Sequence, residues 1–434
     1  MKRRDILRTS LFGAAGWWIG PPGTASPAEI KPRAKSVIQI WMWGGPSQND
    51  TFDPKPSAGA DYCGPYSGSL PTNVPGTHIG EKLPILARNA DKYAIIRSMT
   101  HGNNGHETAS YLVQTGRKPG ENLVYPSVGA VIAYAKGYDF GYKGLIPPYV
   151  VLTRPQGRFT ESGFMGNKYK PFATGGDPGR PRFAVEGVVA DGITDGRQRA
   201  RRELLGSMNT LANVLGTDNP AVAAFKAAED AAYDLILGDA GKVFDLSLEN
   251  DALRDRYGRT TFGASCLVAR RLVEQGVPYI TINYNGWDTH RQHFSIMDRM
   301  LPEMDRGFGT LLEDLSERGL LDETIVWWGG EFGRTPKIDW SPPWNGGRHH
   351  FGRVFSTVVA GGGFKGGAIL GASDEQANYV KDRPVYPWDL TNTMYKLLGI
   401  DLGSTLPHPS RRDIKVSTTE ADGYESGGLV TEIV

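Results

Sequence analysis

Cysteine is scarce in this chain, and neither charge sign is in large excess. Two cysteines, Cys63 and Cys266, exclude a scaffold held by several disulfides and a zinc module built on thiolates; whether the two pair in an oxidising compartment stays open. Lysine and arginine number 48 against 47 aspartate and glutamate residues, so the formal charge of +1 argues against a nucleic-acid binder. With 434 residues, 39% of them hydrophobic, the chain can nevertheless bury a full core.

Residues 1–28 have the features of an export signal. Three basic residues at 2–4 precede a moderately apolar stretch at 11–19, and small residues follow at 23–28. The run at 3–7, Arg-Arg-Asp-Ile-Leu, resembles a twin-arginine signal. The alternatives are an ordinary secretory signal or an anchor helix, but the apolar run is about nine residues and a span needs about twenty. We therefore expect the twin-arginine export machinery as a partner, a periplasmic or extracellular location, and no membrane span after processing.

Short apolar runs that end in glycine or polar residues predict buried strands. They lie at residues 36–43, 93–97, 149–152, 279–283, 324–328 and 354–359. Helical patterns lie between them, at residues 128–135, 198–215, 221–237, 266–274, 304–318 and 390–398. This alternation predicts an α/β fold with a central, mostly parallel sheet flanked by helices. We expect residues 36–434 to form one domain, with a surface insertion at about 157–192.

In such a sheet, ligands bind beyond the carboxyl ends of the strands, so polar residues there are candidate site residues. Asp50 and Asp53 follow the first strand in a turn rich in glycine and proline. Carboxylates in that position suit a hard or borderline cation. We interpret Asp53, which precedes Pro54, as a turn residue. Asp50 is predicted to be a metal ligand, and the alternative is a turn carboxylate.

The second predicted strand is followed by two histidines, His101 and His106, in a loop rich in glycine and asparagine. The loop leads into a short helical pattern, with Thr108 near its start, where the helix terminus favours an anion. A single histidine would more often be structural. Two in one strand-end loop favour a functional site.

The most specific local signal is Asp288 with His290, two residues apart after the fourth predicted strand and followed by His293. A carboxylate and imidazoles at this spacing can converge on one metal ion if the backbone turns. The alternative is a capping aspartate with surface histidines. We expect Asp288→Ala or His290→Ala to release metal and His101→Ala to retain it.

Two further loops carry candidates for the same edge of the sheet. Glu331 follows a strand and two glycines, and is predicted to be a metal ligand rather than a solvated charge. His349 and His350 are adjacent, and adjacent residues of an extended chain face opposite ways, so one of them is expected to be a direct ligand. Arg334 and Arg348 are predicted to hold an oxyanion.

These candidates together predict a metal-dependent hydrolase. Imidazole and carboxylate ligands without thiolate suit one or two divalent ions of Zn, Mn, Fe or Ca. Such ions beside arginine would serve the hydrolysis of phosphate or sulfate esters, because they polarise the ester oxygens and activate a nucleophile.

The motifs and the order of elements resemble a family of unknown function, domain-of-unknown-function family 1501, whose members are exported by the twin-arginine route. The resemblance covers nearly all of residues 36–434, and the matching motifs lie at residues 44–56, 286–290, 331–336 and 347–350. This family is similar to the alkaline phosphatase and sulfatase superfamily. The resemblance implies an alkaline phosphatase-like α/β sandwich and an exported, metal-dependent, sulfatase-like hydrolase of an anionic small-molecule or polysaccharide ester.

The chain departs from the superfamily pattern at two places. The stretch from His106 to Arg117 looks like the sulfatase nucleophile helix, but the nucleophile position falls on His106 where the superfamily carries a modified cysteine, serine or threonine. Thr108 could replace it only in a shifted register. The Asp-His metal motif of the superfamily corresponds to Glu331-Phe332, which loses an imidazole. The candidate nucleophiles are therefore His106, through a phosphohistidine-type intermediate, Thr108 and a metal-bound water.

These departures also support a second hypothesis. The chain would be a non-catalytic descendant of the fold that keeps a metal and binds a polysaccharide or cell-surface partner. Ten tryptophans and eighteen tyrosines would suit stacking on sugars, although aromatic residues are more often part of the core.

Overall fold

The computed structural model describes residues 30–119, 123–155, 160–180, 183, 185, 195–207, 219, 222–223, 226, 230, 239–417 and 423–434. The predicted signal at 1–28 lies outside the described residues. So do about a third of the predicted insertion at 157–192, of which residues 160–180, 183 and 185 are described, and most of the predicted helix at 221–237.

The strands of the described chain are β1 (Ser36–Met42), β2 (Ser69–Pro71), β3 (His78–Gly80), β4 (Tyr93–Met99), β5 (Tyr149–Leu152), β6 (Phe172–Ala173), β7 (Tyr279–Tyr284), β8 (Thr324–Gly329), β9 (Gly333–Arg334), β10 (His350–Phe351), β11 (Phe355–Ala360), β12 (Ile369–Leu370), β13 (Ala372–Ser373) and β14 (Val380–Asp382). Eight of them form one sheet in the order β12-β4-β11-β8-β1-β7-β5-β6.

The structure also gives the bounds of α-helices in the described residues. They span Ala60–Cys63, Pro84–Arg88, His106–Thr115, Val128–Lys136, Asp195–Ser207, Asp251–Tyr257, Thr261–Glu274, His293–Glu317 and Pro387–Leu397. The helix His293–Glu317 begins well before the predicted 304–318 and contains Pro302. The prediction was therefore short at the amino end of this helix.

The central strand β1 shows why the sheet is mostly parallel and buried on both faces. It pairs in parallel with β7 and β8, β5 pairs in parallel with β7 and β6, and β11 alone in this sheet runs antiparallel, between β4 and β8. Alternate side chains of a strand point to opposite faces. Ile38 and Ile40 pack on the face covered by the helices Thr261–Glu274 and His293–Glu317, whereas Val37 and Trp41 pack against the helices Val128–Lys136 and Pro387–Leu397. The predicted fold class, a mostly parallel sheet flanked by helices, is confirmed.

Two smaller observations bear on the other expectations. Cys63 and Cys266 are both buried and both free, so they are not joined to each other. Among the described residues, no helix combines the length and apolar composition that crossing a bilayer requires.

The topology gathers the candidate loops at one edge of the sheet. Strands β1, β4, β7 and β8 run in the same direction, so their carboxyl ends meet at this edge, together with the amino end of the antiparallel β11. The loops that leave these ends carry the histidines and carboxylates that the sequence singles out.

Candidate metal centre

The turn after β1 fixes how closely these loops approach one another. Gly44 has a φ of +109°, a conformation that favours glycine, and a Cβ at this position would lie 2.2 Å from the backbone nitrogen of Asp288. Glycine is therefore required for the turn after β1 to pack against the loop after β7.

Three side chains from different loops converge beyond the sheet edge. His106, Asp288 and His350 each offer one ligand atom, and these atoms all lie within 4.8 Å of one another. Nε2 of His106 lies 3.3 Å from Oδ2 of Asp288, and Nε2 of His350 lies 3.1 Å from Oδ1. The ring of Trp43 stacks on His106 at a centroid distance of 5.8 Å, which fixes one side of the group.

Glu331 orients His106 from behind. Oε1 of Glu331 lies 2.7 Å from Nδ1 of His106 and accepts a hydrogen bond from the backbone N–H of Gly44 at 3.0 Å. This is the arrangement of a metal-binding histidine, whose second ring nitrogen donates to a carboxylate. The other oxygen, Oε2, is buried and has no hydrogen-bond partner among the described residues. A buried carboxylate oxygen without a partner calls for an explanation, and a cation in the group would supply one.

Of the three histidines in the 290 and 349–350 stretches, two lie next to the Asp288 carboxylate. Nε2 of His290 lies 3.1 Å from Oδ1 of Asp288 and 2.8 Å from Nε2 of His350. His349 lies behind His290, with 2.9 Å between their Nδ1 atoms, and its Nε2 lies 3.2 Å from Oδ2 of Asp339. Only one of the two adjacent histidines, His350, therefore belongs to the converging group.

The electrostatics of the group favour an ionised Asp288. Burial opposes ionisation, but hydrogen bonds from His106, His350 and Arg334 hold the pKa of Asp288 well below its ordinary value. Hydrogen bonds to Asp288 and Glu331 raise the pKa of His106 to about 9. Burial lowers the pKa of His290 to about 4, which keeps this ring neutral.

Arg334 is fully buried and contacts protein groups rather than an open site. Its Nη2 lies 2.6 Å from Oδ1 of Asp288 and also donates to the carbonyl of Gly44. Its Nε donates to the carbonyl of Gly45 at 3.1 Å, and its Nη1 donates to the carbonyl of Arg348 at 3.2 Å. The structure thus places the predicted oxyanion-binding Arg334 where it orients the Asp288 carboxylate.

A second buried cluster contains Asp50 and Arg348, which the sequence assigns to the metal and to an oxyanion. Nη2 of Arg348 donates to Oδ1 of Asp50 at 3.0 Å, and Nε lies 2.9 Å from Oδ2. Nε2 of His293 lies 2.8 Å from the same Oδ2, and Nδ1 of His293 lies 2.6 Å from the hydroxyl of Thr289. All four side chains are buried. The structure therefore places Asp50 and Arg348 in a support for the Asp288 loop and not in the converging group.

Arg348 also connects two other backbone segments to this support. It donates to the carbonyls of Tyr62, Thr335 and Pro336. Burial opposes ionisation of Asp50, but the charge of Arg348 and the hydrogen bond from His293 lower its pKa to about 2.

The remaining two candidates near His106 lie outside the group. His101 is held by its Nε2, 2.7 Å from the carbonyl oxygen of Glu331, and by its Nδ1, which accepts from the backbone of Asn103 at 3.1 Å. Burial lowers the pKa of His101 to about 4, so this histidine is neutral and holds the Glu331 loop in place by its hydrogen bond. Thr108 is two residues after His106 in the helix His106–Thr115, and residues at that spacing do not face each other.

Sequence reasoning missed the parts played by Trp43, Thr289 and His293. Sequence analysis identified His293 only as a third imidazole after Asp288. Asp50 is 243 residues away in the sequence, so no local pattern indicates that the two are partners. Trp43 stands between the last residue of β1 and a double glycine. An aromatic residue in that position is the signal that would have indicated a wall of the site.

Several solved structures are similar to this chain at low sequence identity. A protein in the alkaline phosphatase superfamily from Vibrio parahaemolyticus is 11% identical, with 86% of this chain and 69% of that chain covered at a TM-score of 0.39. A lipoteichoic acid synthase from Listeria monocytogenes is 10% identical, with 90% and 75% covered at a TM-score of 0.37. The PsFucS1 sulfatase from Pseudoalteromonas sp. is 16% identical, with 85% and 68% covered at a TM-score of 0.36. At these values the matches transfer neither an activity nor a residue role.

The sequence comparisons are more specific. No curated protein matches the sequence. One family model, described as protein of unknown function (DUF1501), matches residues 34–425. This span contains every loop that carries His106, Asp288, Glu331 or His350, and it confirms the family that the motifs resemble. The chain belongs to the DUF1501 family.

Proposed function

We propose that this protein is an exported, metal-dependent hydrolase of phosphate or sulfate esters. The observation that carries the proposal is the convergence of His106, Asp288 and His350 within 4.8 Å, beside a buried oxygen of Glu331 that has no partner among the described residues. The motif resemblance to the alkaline phosphatase and sulfatase superfamily supports the same chemistry.

His106, Asp288 and His350 would hold one divalent ion, with His290 and Glu331 as the nearest further ligands. Two or three imidazoles and one or two carboxylates suit Zn, Mn or Fe. Bound there, such an ion would polarise the ester and lower the pKa of an attacking water.

The chain's own residues prepare this site in two ways. Arg334 keeps Asp288 ionised and in one orientation, and Glu331 fixes the ring of His106 through its Nδ1. With both ring nitrogens of His106 engaged and Thr108 on another side of the helix, we assign the attack to water rather than to His106 or Thr108. His349, whose Nε2 faces Asp339, is the candidate for moving a proton at the rim of the site.

The burial of Arg334 and Arg348 favours a second candidate function. An ester hydrolase usually presents a cationic donor to the charge that develops on the ester oxygens, and these two guanidinium groups contact protein atoms instead. The alternative is a metal-containing protein without catalysis, which binds a polysaccharide or a cell-surface partner.

Metal content and ester hydrolysis separate these functions. Elemental mass spectrometry of the folded protein should give one or two equivalents of a divalent metal. Hydrolysis of p-nitrophenyl phosphate or p-nitrophenyl sulfate should be lost on chelation and regained on reloading. Asp288→Asn should lose both metal and hydrolysis, and the exposed Asp322→Asn should lose neither.

Bound metal without hydrolysis of either ester would contradict the hydrolase and support the binding protein. A folded protein that takes up no metal after reloading would contradict both. Export by the twin-arginine machinery has its own test, because replacing Arg3 and Arg4 by lysine should retain the protein in the cytoplasm.

A further inference from the structure

A second cavity opens at the same edge of the sheet as the converging group. It is a cleft of about 710 Å³ at the carboxyl ends of β5 and β7. Its polar lining consists mainly of Thr153, Arg154, Asp177, Arg180, Asn283 and Glu303. Pockets for small ligands have volumes of roughly 300–1,000 Å³ and place a few polar groups among apolar walls.

The cleft lies beside the proposed metal centre. Strand β7 is the neighbour of β1, and neighbouring strands are about 4.8 Å apart. Only residues 285–287 separate the last residue of β7 from Asp288. A polymer with its ester group at Asp288 would therefore pass over this cleft.

One polar atom in the lining of the cleft, the amide oxygen of Asn283, lacks a hydrogen-bond partner among the described residues. Its Nδ2 donates to the backbone carbonyl of Arg154 at 2.5 Å, which fixes the orientation of the amide, because the reverse orientation would oppose two oxygens. The amide oxygen is buried and has no hydrogen-bond partner in the part of the chain that the structure describes. A buried acceptor without a donor calls for an explanation, and a donor from a ligand would supply one.

Thr153 adds an independent observation. It has a φ of +70°, an uncommon conformation for a β-branched residue. Its N–H donates to the hydroxyl of Thr174 at 2.9 Å, and its carbonyl accepts from Gly175 at 2.8 Å, so the surroundings hold this conformation. Conformations of this kind are most frequent at active sites and ligand-binding sites.

The charges of the lining indicate the class of ligand. Arg154 and Arg180 are cationic, Asp177 and Glu303 are anionic, and the four charges cancel. Together with the amide of Asn283, they offer both donors and acceptors. A hydroxyl both donates and accepts, so this lining suits a polyhydroxylated, uncharged unit better than a polyanion.

From these observations we infer that the cleft binds an uncharged sugar unit of a polysaccharide whose ester group lies at the His106–Asp288–His350 group. The inference rests on the proposed function for the position of the ester. The cleft then sets the substrate class: an ester on a polymer of sugars, rather than a small free ester.

The test is binding of the mature protein to a glycan microarray that carries neutral, sulfated and phosphorylated oligosaccharides. We expect retention of oligosaccharides that contain uncharged units. Asn283→Ala and Arg154→Ala should weaken this retention by about tenfold. Arg88→Ala, which removes an exposed arginine elsewhere, is the matched control, and thermal unfolding checks that each variant is folded.

Hydrolysis measured on the same variants keeps the two proposals apart. Asn283→Ala should leave p-nitrophenyl ester hydrolysis unchanged, whereas Asp288→Asn should abolish hydrolysis and leave glycan retention intact. The proposal that the cleft binds a sugar would be overturned by either of two results, even if esters are hydrolysed. One is a wild-type protein that retains no glycan, and the other is an Asn283→Ala variant that retains glycans as well as the wild type does. Glycan retention without ester hydrolysis would instead overturn the hydrolase.

Discussion

The buried pair of Asp50 and Arg348 gives the sharpest prediction, because sequence and structure assign Asp50 different parts. Asp50→Asn keeps the shape of the side chain and removes the charge that faces a guanidinium with no exposed surface. Removing one partner of a buried ion pair costs about 3–5 kcal/mol, since the other charge stays buried without compensation. Against a total unfolding free energy of about 5–15 kcal/mol, the loss should be large.

The pH dependence of stability provides a second measure of the same pair. The pKa of Asp50 falls from an ordinary 3.8 to about 2 in the folded protein. The folded pKa is the lower one, so its contribution is fully present above pH 3.8 and is lost as the pH falls towards 2. At 1.36 kcal/mol per unit this contribution is about 2 kcal/mol. In Asp50→Asn this part of the acid dependence should disappear.

Urea unfolding of wild type and variant at neutral pH, followed by metal analysis of the folded variant, checks the reasoning. We expect Asp50→Asn to lose about 3–5 kcal/mol of unfolding free energy and to keep its metal. The exposed control Asp322→Asn should change stability by less than about 0.5 kcal/mol. A variant that is as stable as wild type and has lost its metal would refute the structural role of Asp50 and indicate that Asp50 is a metal ligand.

Two further predictions concern the backbone around the centre. His101→Ala should keep the metal but lower the unfolding free energy by about 1–3 kcal/mol, because the carbonyl of Glu331 loses its donor. Loss of metal in this variant would contradict a purely structural role for His101. Gly44→Ala should weaken metal binding by about 10–100-fold, since its Cβ would lie 2.2 Å from the backbone nitrogen of Asp288. Competition with a chelator measures the metal affinity. An unchanged affinity would show that the close approach of Gly44 does not position Asp288.

Much of the fold follows from local patterns. The apolar runs at 36–43, 149–152 and 324–328 are strands within a residue or so of their predicted ends, because a strand buried on both faces must be apolar throughout. The same logic locates the candidate loops, since parallel strands bring their carboxyl ends together. Nothing in that reasoning requires three-dimensional detail.

Only the structure shows which candidate residues line the site and which support it. Asp50 and Arg348 are 298 residues apart, and neither has a local pattern that names the other as its partner. His349 and His350 are adjacent in the sequence, but only His350 belongs to β10, where it pairs with Arg334 of β9. A strand-end carboxylate or histidine therefore indicates the neighbourhood of a site, and tertiary contacts decide whether it lines the site or supports it.

The two departures from the sulfatase pattern are linked in the structure. The imidazole that the metal motif loses at Phe332 is matched by the imidazole at His106, which arrives from the helix that would otherwise carry the nucleophile. Its Nδ1 lies 2.7 Å from Glu331, the residue beside the lost position. In the proposed metal centre, His106 would thereby keep the number of ligands, and the protein would have no side-chain nucleophile at this position.

This exchange predicts the behaviour of His106→Ser. The variant restores a hydroxyl at the nucleophile position but removes a proposed ligand, and among the described residues it leaves Oε1 of Glu331 with the Gly44 N–H alone. If His106 is a ligand, His106→Ser should lose metal and gain no ester hydrolysis, and Thr108→Ser should change neither. Metal retained with hydrolysis gained would show that His106 occupies a nucleophile position and that attack by water is the wrong assignment.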